Sequence, residues 1–396
     1  MKGHRLVVLA VALAVLLNVS LIEVQTQTDP KTFVLGQVGF ALTLPINPII
    51  RRANPRATFW MFDSLVGYTQ DMRPAGQLAE RWEISPDGKT YTFYLRRNVK
   101  WHDGHPFTAD DVVFTAETAL DRKNASPSRR SYLIRGEPVK VEKIDAYTVR
   151  FHLPQPSFLF LFNMAGWNLI VPKHLLQGKD LQTAEFNSRP IGTGPFKFVE
   201  FRERQYIRMA ANPDYFRGRP KLDGWITREI GDQSSALAAL AKGEIDFMRV
   251  DNREGLETAK RFSGVKIYSY DAGWIFAFNM NHKASFFGDT RVRQALAYAF
   301  DRAQLVKTVV ADLPVAWSLI GPPTSWAHNA NVPRYPKDVA KARALLSEAG
   351  LRPADGVLQK DGKPFKFTVI IQSPTADDPE SFAVALREAW KAIGVE

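Results

Sequence analysis

Residues 78–120 constrain the fold more than any other stretch of the chain. Ser85, Pro86, Asp87 and Gly88 make a turn, because proline presets φ, aspartate hydrogen-bonds its own backbone and glycine accepts a positive φ. A strand is expected next: Tyr91, Phe93 and Leu95 share one face and Thr92 and Tyr94 the other, the period of two of a half-buried strand. A second turn falls at Trp101, His102, Asp103 and Gly104. Thr108 then stands three residues before Asp111 at the head of a periodic apolar run, the arrangement of a capping box. Val112, Val113, Ala116, Ala119 and Leu120 form the inward stripe of the helix that this start predicts.

The remaining sequence alternates strand and helix signals. Residues 32–38 read as a strand and residues 59–66, which include Asp63 and Leu65, as a helix or helix start. Residues 139–144 and 147–153 read as a hairpin around Asp145 and Ala146, with Tyr147, Val149, Phe151 and Leu153 inward and His152 on the opposite, solvated face. Gly192, Thr193 and Gly194 supply a turn before an alternating strand that begins with Phe196 and Phe198. The lysine and following hydroxyl residue of a phosphate loop are missing there. Residues 225–230, a helix begun by Asp232 and running through Ala241, and a strand with Ile245 and Phe247 form a strand–helix–strand unit, which implies a parallel pair with a right-handed crossover. Asp289 caps a helix whose stripe is Val292, Ala295, Leu296, Ala299 and Ala303. Residues 339–349 form another, stopped by Gly350; residues 365–371 alternate as a strand; Asp378 and Pro379 open a last helix that Gly394 ends.

Composition narrows the function. With 396 residues, 45% hydrophobic and 23% charged, the chain has material for two or three domains and a sizeable core. It shows no fixed-period repeat, low-complexity tract or heptad run. It has no cysteine, which excludes disulfides, thiolate metal sites, cysteine nucleophiles and a lipid-anchoring cysteine. The net charge of +11 comes from 52 basic residues mixed with 41 acids. These are dispersed, without the basic helix or basic–aromatic alternation of a nucleic-acid surface, so no nucleic-acid partner is expected. Lys2, His4 and Arg5 followed by the apolar residues 6–17 read as an export signal. The apolar run reaches Ile22, broken by Asn18 and Ser20, close to the roughly 20 residues a membrane-spanning helix needs. Residues 1–27 are therefore a signal peptide or an uncleaved anchor, and either places the globular part in the periplasm or elsewhere outside the cytoplasm.

The usual catalytic patterns are missing. His102, Asp103 and His105 form an H-D-G-H cluster, but sequence places no further ligand beside it, so no metal site is expected. There is no G-x-S-x-G elbow and no H-E-x-x-H. No enzyme activity, catalytic residue or cofactor is expected.

The wording of residues 78–120, LAERWEISPDGKTYTFYLRRNVKWHDGHPFTADDVVFTAETAL, resembles one family: the extracytoplasmic solute-binding proteins of peptide and nickel ABC transporters, family 5. LIVPKH at 169–174, IGTGPFKF at 191–198, NPDYF at 212–216, GWIFAFNMN at 273–281 and FGDTRVRQALAYAFD at 287–301 are further landmarks of it. Leu44, Pro45, Ile46, Asn47 and Pro48 stand where the family has a leucine–aspartate–proline. The resemblance implies an α/β fold like that of type II periplasmic binding proteins, with two lobes around a cleft in the three-domain family 5 variant. Residues 28–62 and 188–275 would be domain I, 63–187 domain II and 276–396 domain III. Family members continue well past the position of Glu396, so domain III is expected to be incomplete and the chain truncated.

The implied function is the substrate-binding component of an ABC importer. It would capture oligopeptides or dipeptides by hinge closure and deliver them, as a monomer, to permease and ATPase subunits. Alternatives are a nickel chelate, an oligosaccharide or another solute as ligand, a receptor that serves a sensor, or a nonfunctional truncated fragment. Trp274, Phe276 and Asn279 fall in the strand that borders the family's cleft, and Trp317 and Trp326 in a Pro/Gly-rich loop on the third domain's side. All five are candidate ligand contacts. The competing expectation for each aromatic is ordinary packing.

Overall fold

The computed structural model describes residues 31–39, 41–50, 55–166, 168–250, 252–269, 277–284, 286–309, 315, 317, 325–371 and 379–396. The export segment expected at residues 1–27 lies outside them. After β1 (Thr32–Val38) comes the helix α1 (Pro55–Met61) and a short hairpin, β2 (Val66–Tyr68) and β3 (Pro74–Gly76). The helix expected over residues 59–66 thus ends at Met61. Beyond it the backbone is drawn into other pairings: Asp63 O accepts from Ile170 N at 2.9 Å, Ser64 O from Leu78 N at 3.1 Å and Leu65 O from Ala79 N at 3.0 Å.

The alternation read at residues 91–95 folds as β5 (Thr90–Leu95), which pairs antiparallel with β4 (Ala79–Ile84) across the Ser85–Gly88 turn. The helix α2 (Ala109–Leu120) starts in a complete capping box between Thr108 and Asp111. A small hairpin, β6 (Leu133–Ile134) and β7 (Glu137–Pro138), leads to β8 (Lys140–Asp145) and β9 (Thr148–His152). These complete an antiparallel sheet of order β4-β5-β9-β8. Tyr91, Phe93, Leu95, Val149 and Phe151 are buried in the large core, as are Val112, Ala116 and Ala119 of α2. His152, on the other face, is half-exposed and bonds Glu142 at 3.0 Å.

Asp111 does more than cap. Its carboxylate also accepts from the indole N–H of Trp101 at 3.3 Å and from the backbone of Lys173 at 2.9 Å, at the start of α4 (Lys173–Leu176). One buried acid therefore ties the Trp101–Gly104 turn, the helix start and the 169–174 segment together. Burial pushes its carboxyl above the usual range while these donors pull it back. Between β9 and α4 lies the short helix α3 (Phe160–Met164).

The second sheet is built from β10 (Phe196–Arg202), β11 (Tyr206–Ala211), β12 (Gly224–Ile230), β1 and β13 (Phe247–Met248), in that order. The helix α5 (Gln233–Ala241), capped by Asp232, connects β12 to β13, and α6 (Arg253–Ala259) follows. The expected parallel relation holds, but the two strands are not neighbours: β1 lies between them and is parallel to both. A strand from the start of the chain takes the slot that a local reading gave to β13. Ala236, Leu237, Ile245, Met248 and Ala259 form a small core with α5 and α6.

The chain returns to this sheet through Gly192, Thr193 and Gly194, which press on the end of α1. A Cβ on Gly192 would lie 1.7 Å from the Met61 carbonyl oxygen, and one on Gly194 2.5 Å from that of Trp60. The close approach is locked by His102. Gly192 N–H donates to His102 Nδ1 at 3.2 Å, and the His102 Nε2–H donates to Gly194 O at 2.9 Å. The His102 N–H donates to Gly192 O at 2.8 Å. This pattern fits only the neutral Nε2–H ring, and burial pulls the imidazole down to about 4. Beside it, the buried Asp63 carboxylate accepts from Thr193 at 2.8 Å, Gln77 at 2.6 Å and Tyr215 at 3.1 Å.

Described residues from 277 onward build a separate apolar core. Its helices are α7 (Thr290–Tyr298), α8 (Arg302–Val309), α9 (Val339–Glu348) and α10 (Pro379–Lys391). A small sheet, β14 (Arg352–Ala354), β15 (Val357–Lys360) and β16 (Lys363–Pro364), lies between α9 and α10. Val292, Ala295, Leu296 and Ala299 are buried here as expected, but α7 ends at Tyr298 and the exposed Ala303 belongs to α8. Residues 365–371 alternate without forming a regular strand, Phe365 buried and Ile370 93% exposed. Their backbone pairs only briefly, Phe365 N donating to Leu358 O at 2.7 Å and Glu396 joining Phe365 O and Phe367 N at 3.0 and 2.9 Å. Asp378 lies outside the described residues. No helix among the described residues is long and apolar enough to cross a membrane.

Two expectations follow from the return segment. Gly192→Ala should cost about 3 kcal/mol or more in urea unfolding. Gly178→Ala, at φ +72° with open space around its Cβ, should cost about 1–2 kcal/mol; equal losses would refute the close-approach argument. The second concerns pH. The unfolded chain takes up the His102 proton near 6.5 and the folded one only near 4, so stability is lost as pH falls through that window, by roughly 3 kcal/mol in full. Asp63 and Asp111, raised by burial, act with the opposite sign but equally in a His102→Asn variant. Urea midpoints at pH 7, 5.5 and 4.5 should therefore fall more steeply for the wild type than for the variant.

Candidate functional site

Of the five candidate ligand contacts, Trp274 and Phe276 lie outside the described residues. Asn279 is exposed between Phe278 and Met280, whose side chains turn the other way, onto the second large core. Trp317 is partly buried beside two guanidinium groups, Arg302 at 5.3 Å and Arg334 at 5.6 Å from its ring. Arg302 also donates to Tyr335 O at 2.6 Å and to Ala297 O at 3.2 Å, and burial lowers its pKa. These contacts fasten Trp317 to the α7–α9 part of the chain.

Trp326 is placed differently. It reaches the turn of the β2–β3 hairpin, 254 residues earlier, where its indole N–H donates to Met72 O at 3.2 Å and its backbone N–H to Asp71 O at 3.4 Å. Its ring stacks on Phe162 of α3, with centroids 5.8 Å apart and planes 23° from parallel, and the Arg73 guanidinium lies 5.9 Å from it. Trp326 remains 46% exposed. Among the described residues, Trp317 and Trp326 do not touch each other, so the two loop tryptophans do not form one surface.

The hairpin turn that receives Trp326 is itself held firmly. Thr69 N donates to Arg73 O at 2.9 Å and Arg73 N to the Thr69 hydroxyl at 2.9 Å, Met72 N donates to Thr69 O at 2.9 Å, and Arg73 pairs with Asp71 at 2.7 Å. Met72 sits at φ +64°, a left-handed conformation that side chains other than glycine rarely adopt. Tyr68 completes the cluster: its hydroxyl donates to Phe162 O at 2.8 Å, the rings lie 6.1 Å apart, and burial raises its pKa. Tyr68, Met72, Arg73 and Phe162 are the residues that sequence reasoning missed. The only local signal was an aromatic at a strand end followed by a polar turn.

Chemically, the cluster offers aromatic faces, one cation and backbone carbonyls. It can pack apolar or planar groups and satisfy amides, and it contains no activated nucleophile. His102, read as part of an H-D-G-H cluster, is occupied by Gly192 and Gly194. His105 instead stacks on His174 at 4.1 Å, and His174 bonds Asp103 at 2.8 Å. Among the described residues no three His, Cys, Asp or Glu side chains are grouped to hold a metal ion.

Comparison with known proteins gives this arrangement a family. The model of bacterial extracellular solute-binding proteins, family 5 Middle, matches residues 73–396. The oligopeptide-binding protein AppA of Bacillus subtilis (strain 168) is 38% identical over 329 residues, 81% of this chain and 59% of that protein. The dipeptide-binding protein of Escherichia coli (strain K12) is 31% identical over 336 residues, 81% of this chain and 62% of its own length. The chain thus spans about three fifths of the length of these curated relatives. The structure of Bacillus subtilis AppA in complex with a nonapeptide superposes with a TM-score of 0.74 at 34% identity, covering 92% of this chain and 73% of that one. NikZ from Campylobacter jejuni in complex with Ni(L-His) gives a TM-score of 0.74 at 32% identity, with 92% and 73% covered. These relatives are binding proteins, their fold is that of the periplasmic binding proteins of this family, and the chain belongs to the bacterial extracellular solute-binding proteins, family 5.

Proposed function

We propose that this chain is the solute-capturing component of an ABC importer, that its solutes are oligopeptides or dipeptides, and that it works outside the cytoplasm with permease and ATPase subunits. The observation that carries this reading is the likeness to peptide-bound AppA over 92% of the chain. In this reading residues 28–62 and 188–275 form one domain, 63–187 a second and 276–396 a third. The sheet that joins β1 to β10–β13, the sheet confined to residues 79–152 and the separate core around α7–α10 support that division. Asn279, exposed on the side away from the core, is the described candidate best placed to offer its amide to a bound peptide backbone. Trp274, Phe276 and Trp317 remain proposed contacts as well.

Capture by closure needs a solute that touches both lobes, since only differential affinity shifts the open–closed balance. An extended peptide suits this role, because its backbone amides repeat along its length and its side chains fill pockets of varied size. A nickel chelate is the second reading, favoured by the equal TM-score with the Ni(L-His) complex of NikZ.

Thermal unfolding of the chain with and without peptides of two to nine residues, and separately with nickel and histidine, decides between them. At 100 times Kd a bound peptide should add about 2.7 kcal/mol of stability and raise the midpoint accordingly. A rise with nickel–histidine alone would replace peptide by chelate, and no rise with any solute would reject the capture reading.

A further inference from the structure

We propose that Trp326 is a positioning residue, a latch that fastens the α7–α10 part of the chain to the β2–β3 hairpin and so sets the population of the closed form. The consequence for solute affinity rests on the capture reading above; the latch itself does not.

The two partners belong to different cores. The hairpin enters the first core through the buried Val66, and Phe162 lies in α3 between the buried Phe160 and Met164. The strand of chain that carries Trp326 is anchored on the second body: Arg302 of α8 donates to Tyr335 O, and the Tyr335 ring packs edge-on against Tyr298 of α7 at 5.2 Å. Trp326 therefore spans a seam between separately packed units. It does so with a directional bond to Met72 O, a backbone bond to Asp71 O and a stacked ring on Phe162.

The receiving turn is shaped for this contact. Met72 at φ +64° is held there by the Thr69 and Arg73 bonds, and its carbonyl is the one that accepts the indole N–H. A strained residue fixed by its neighbours, with its carbonyl taken by a residue 254 positions away, belongs to a built contact. The seam is nevertheless open to water: Trp326 is 46% exposed and the Arg73 side chain 63%. A contact of this kind can break without unfolding either core, as a latch requires. Trp326 then raises affinity by favouring closure, without having to touch the solute.

The test uses the full chain, whose lack of cysteine allows clean spin labelling. Labels at Glu117→Cys on α2 and Ala344→Cys on α9, both exposed, report the distance between the two bodies by pulsed electron resonance. In solute-free protein, Trp326→Ala should broaden the distance distribution toward longer values. Trp326→Phe, which keeps the ring on Phe162 and loses the N–H, should fall between it and the wild type. If the alanine variant fails to fold, the phenylalanine variant still carries the comparison.

Peptide binding should weaken by roughly 30-fold or more in Trp326→Ala, mostly through faster dissociation. Unchanged distance distributions in both variants would overturn the latch. Lost peptide binding with unchanged distances would overturn it too and make Trp326 a direct solute contact. A wild type that binds no peptide refutes the capture reading alone, because the solute-free distances still decide the latch.

Discussion

The fold depends on letting one backbone segment touch another. Ile191–Gly194 runs against the end of α1 so closely that a methyl group on Gly192 would overlap the Met61 carbonyl. Bringing peptide groups into a buried place obliges each of them to find a partner. For the two glycines the accounting is complete. Gly192 N and O bond His102, Gly194 N donates to Met61 O at 2.9 Å, and Gly194 O accepts from both His102 and the Asn212 side chain. Small residues make the approach possible and the histidine ring makes it affordable in hydrogen bonds. Because that ring must stay neutral, the crossing between the two sheets carries a built-in sensitivity to acid.

The same economy explains two buried acids. Asp63 and Asp111 are 1% and 4% exposed, and desolvation works against ionising either. Each is surrounded by donors, several of them from other segments: Gln77, Thr193 and Tyr215 for Asp63, and Trp101, Lys173 and the neighbouring Thr108 for Asp111. A buried carboxylate that accepts several bonds fixes register among loops that an apolar residue could only press together. That is why the turn at Trp101–Gly104, the return at Gly192–Gly194 and the 169–174 segment form one body although no regular sheet joins them.

What the sequence made legible follows from the range of each interaction. The capping box at Thr108 and Asp111, the alternation at Tyr91–Leu95 and the caps at Asp232 and Asp289 involve residues within a few positions of one another, and the structure has all of them. The errors are long-range. The strand–helix–strand unit was right in direction and wrong in adjacency, because β1 was inserted from the start of the chain. The helix over residues 59–66 ended early, because Ile170, Leu78 and Ala79 claim the carbonyls that it needed. Trp326 is legible as a loop aromatic and candidate cleft contact, yet nothing near it in sequence names Met72, Arg73 or Phe162. His102 was legible as a turn residue, while its true partners stand 90 and 92 residues away.

The strength of the seam at Trp326 has to suit its proposed role. An aromatic pair is worth about 0.5–1.5 kcal/mol, a partly exposed cation–π contact about 0.5–1 and a hydrogen bond about 1. Since both Trp326 and Arg73 remain wet, their sum is a bias of about 2–3 kcal/mol. Carrying an equilibrium from one part in a hundred to ninety-nine takes about 5.5 kcal/mol. A latch of this size therefore tilts the balance toward closure without locking it, and leaves the remainder to whatever bridges the two bodies. A buried, fully apolar interface would have closed the protein regardless of solute, and no contact at all would have required the solute to do everything. An exposed tryptophan on a strained carbonyl lies between these limits, where a solute can decide the outcome.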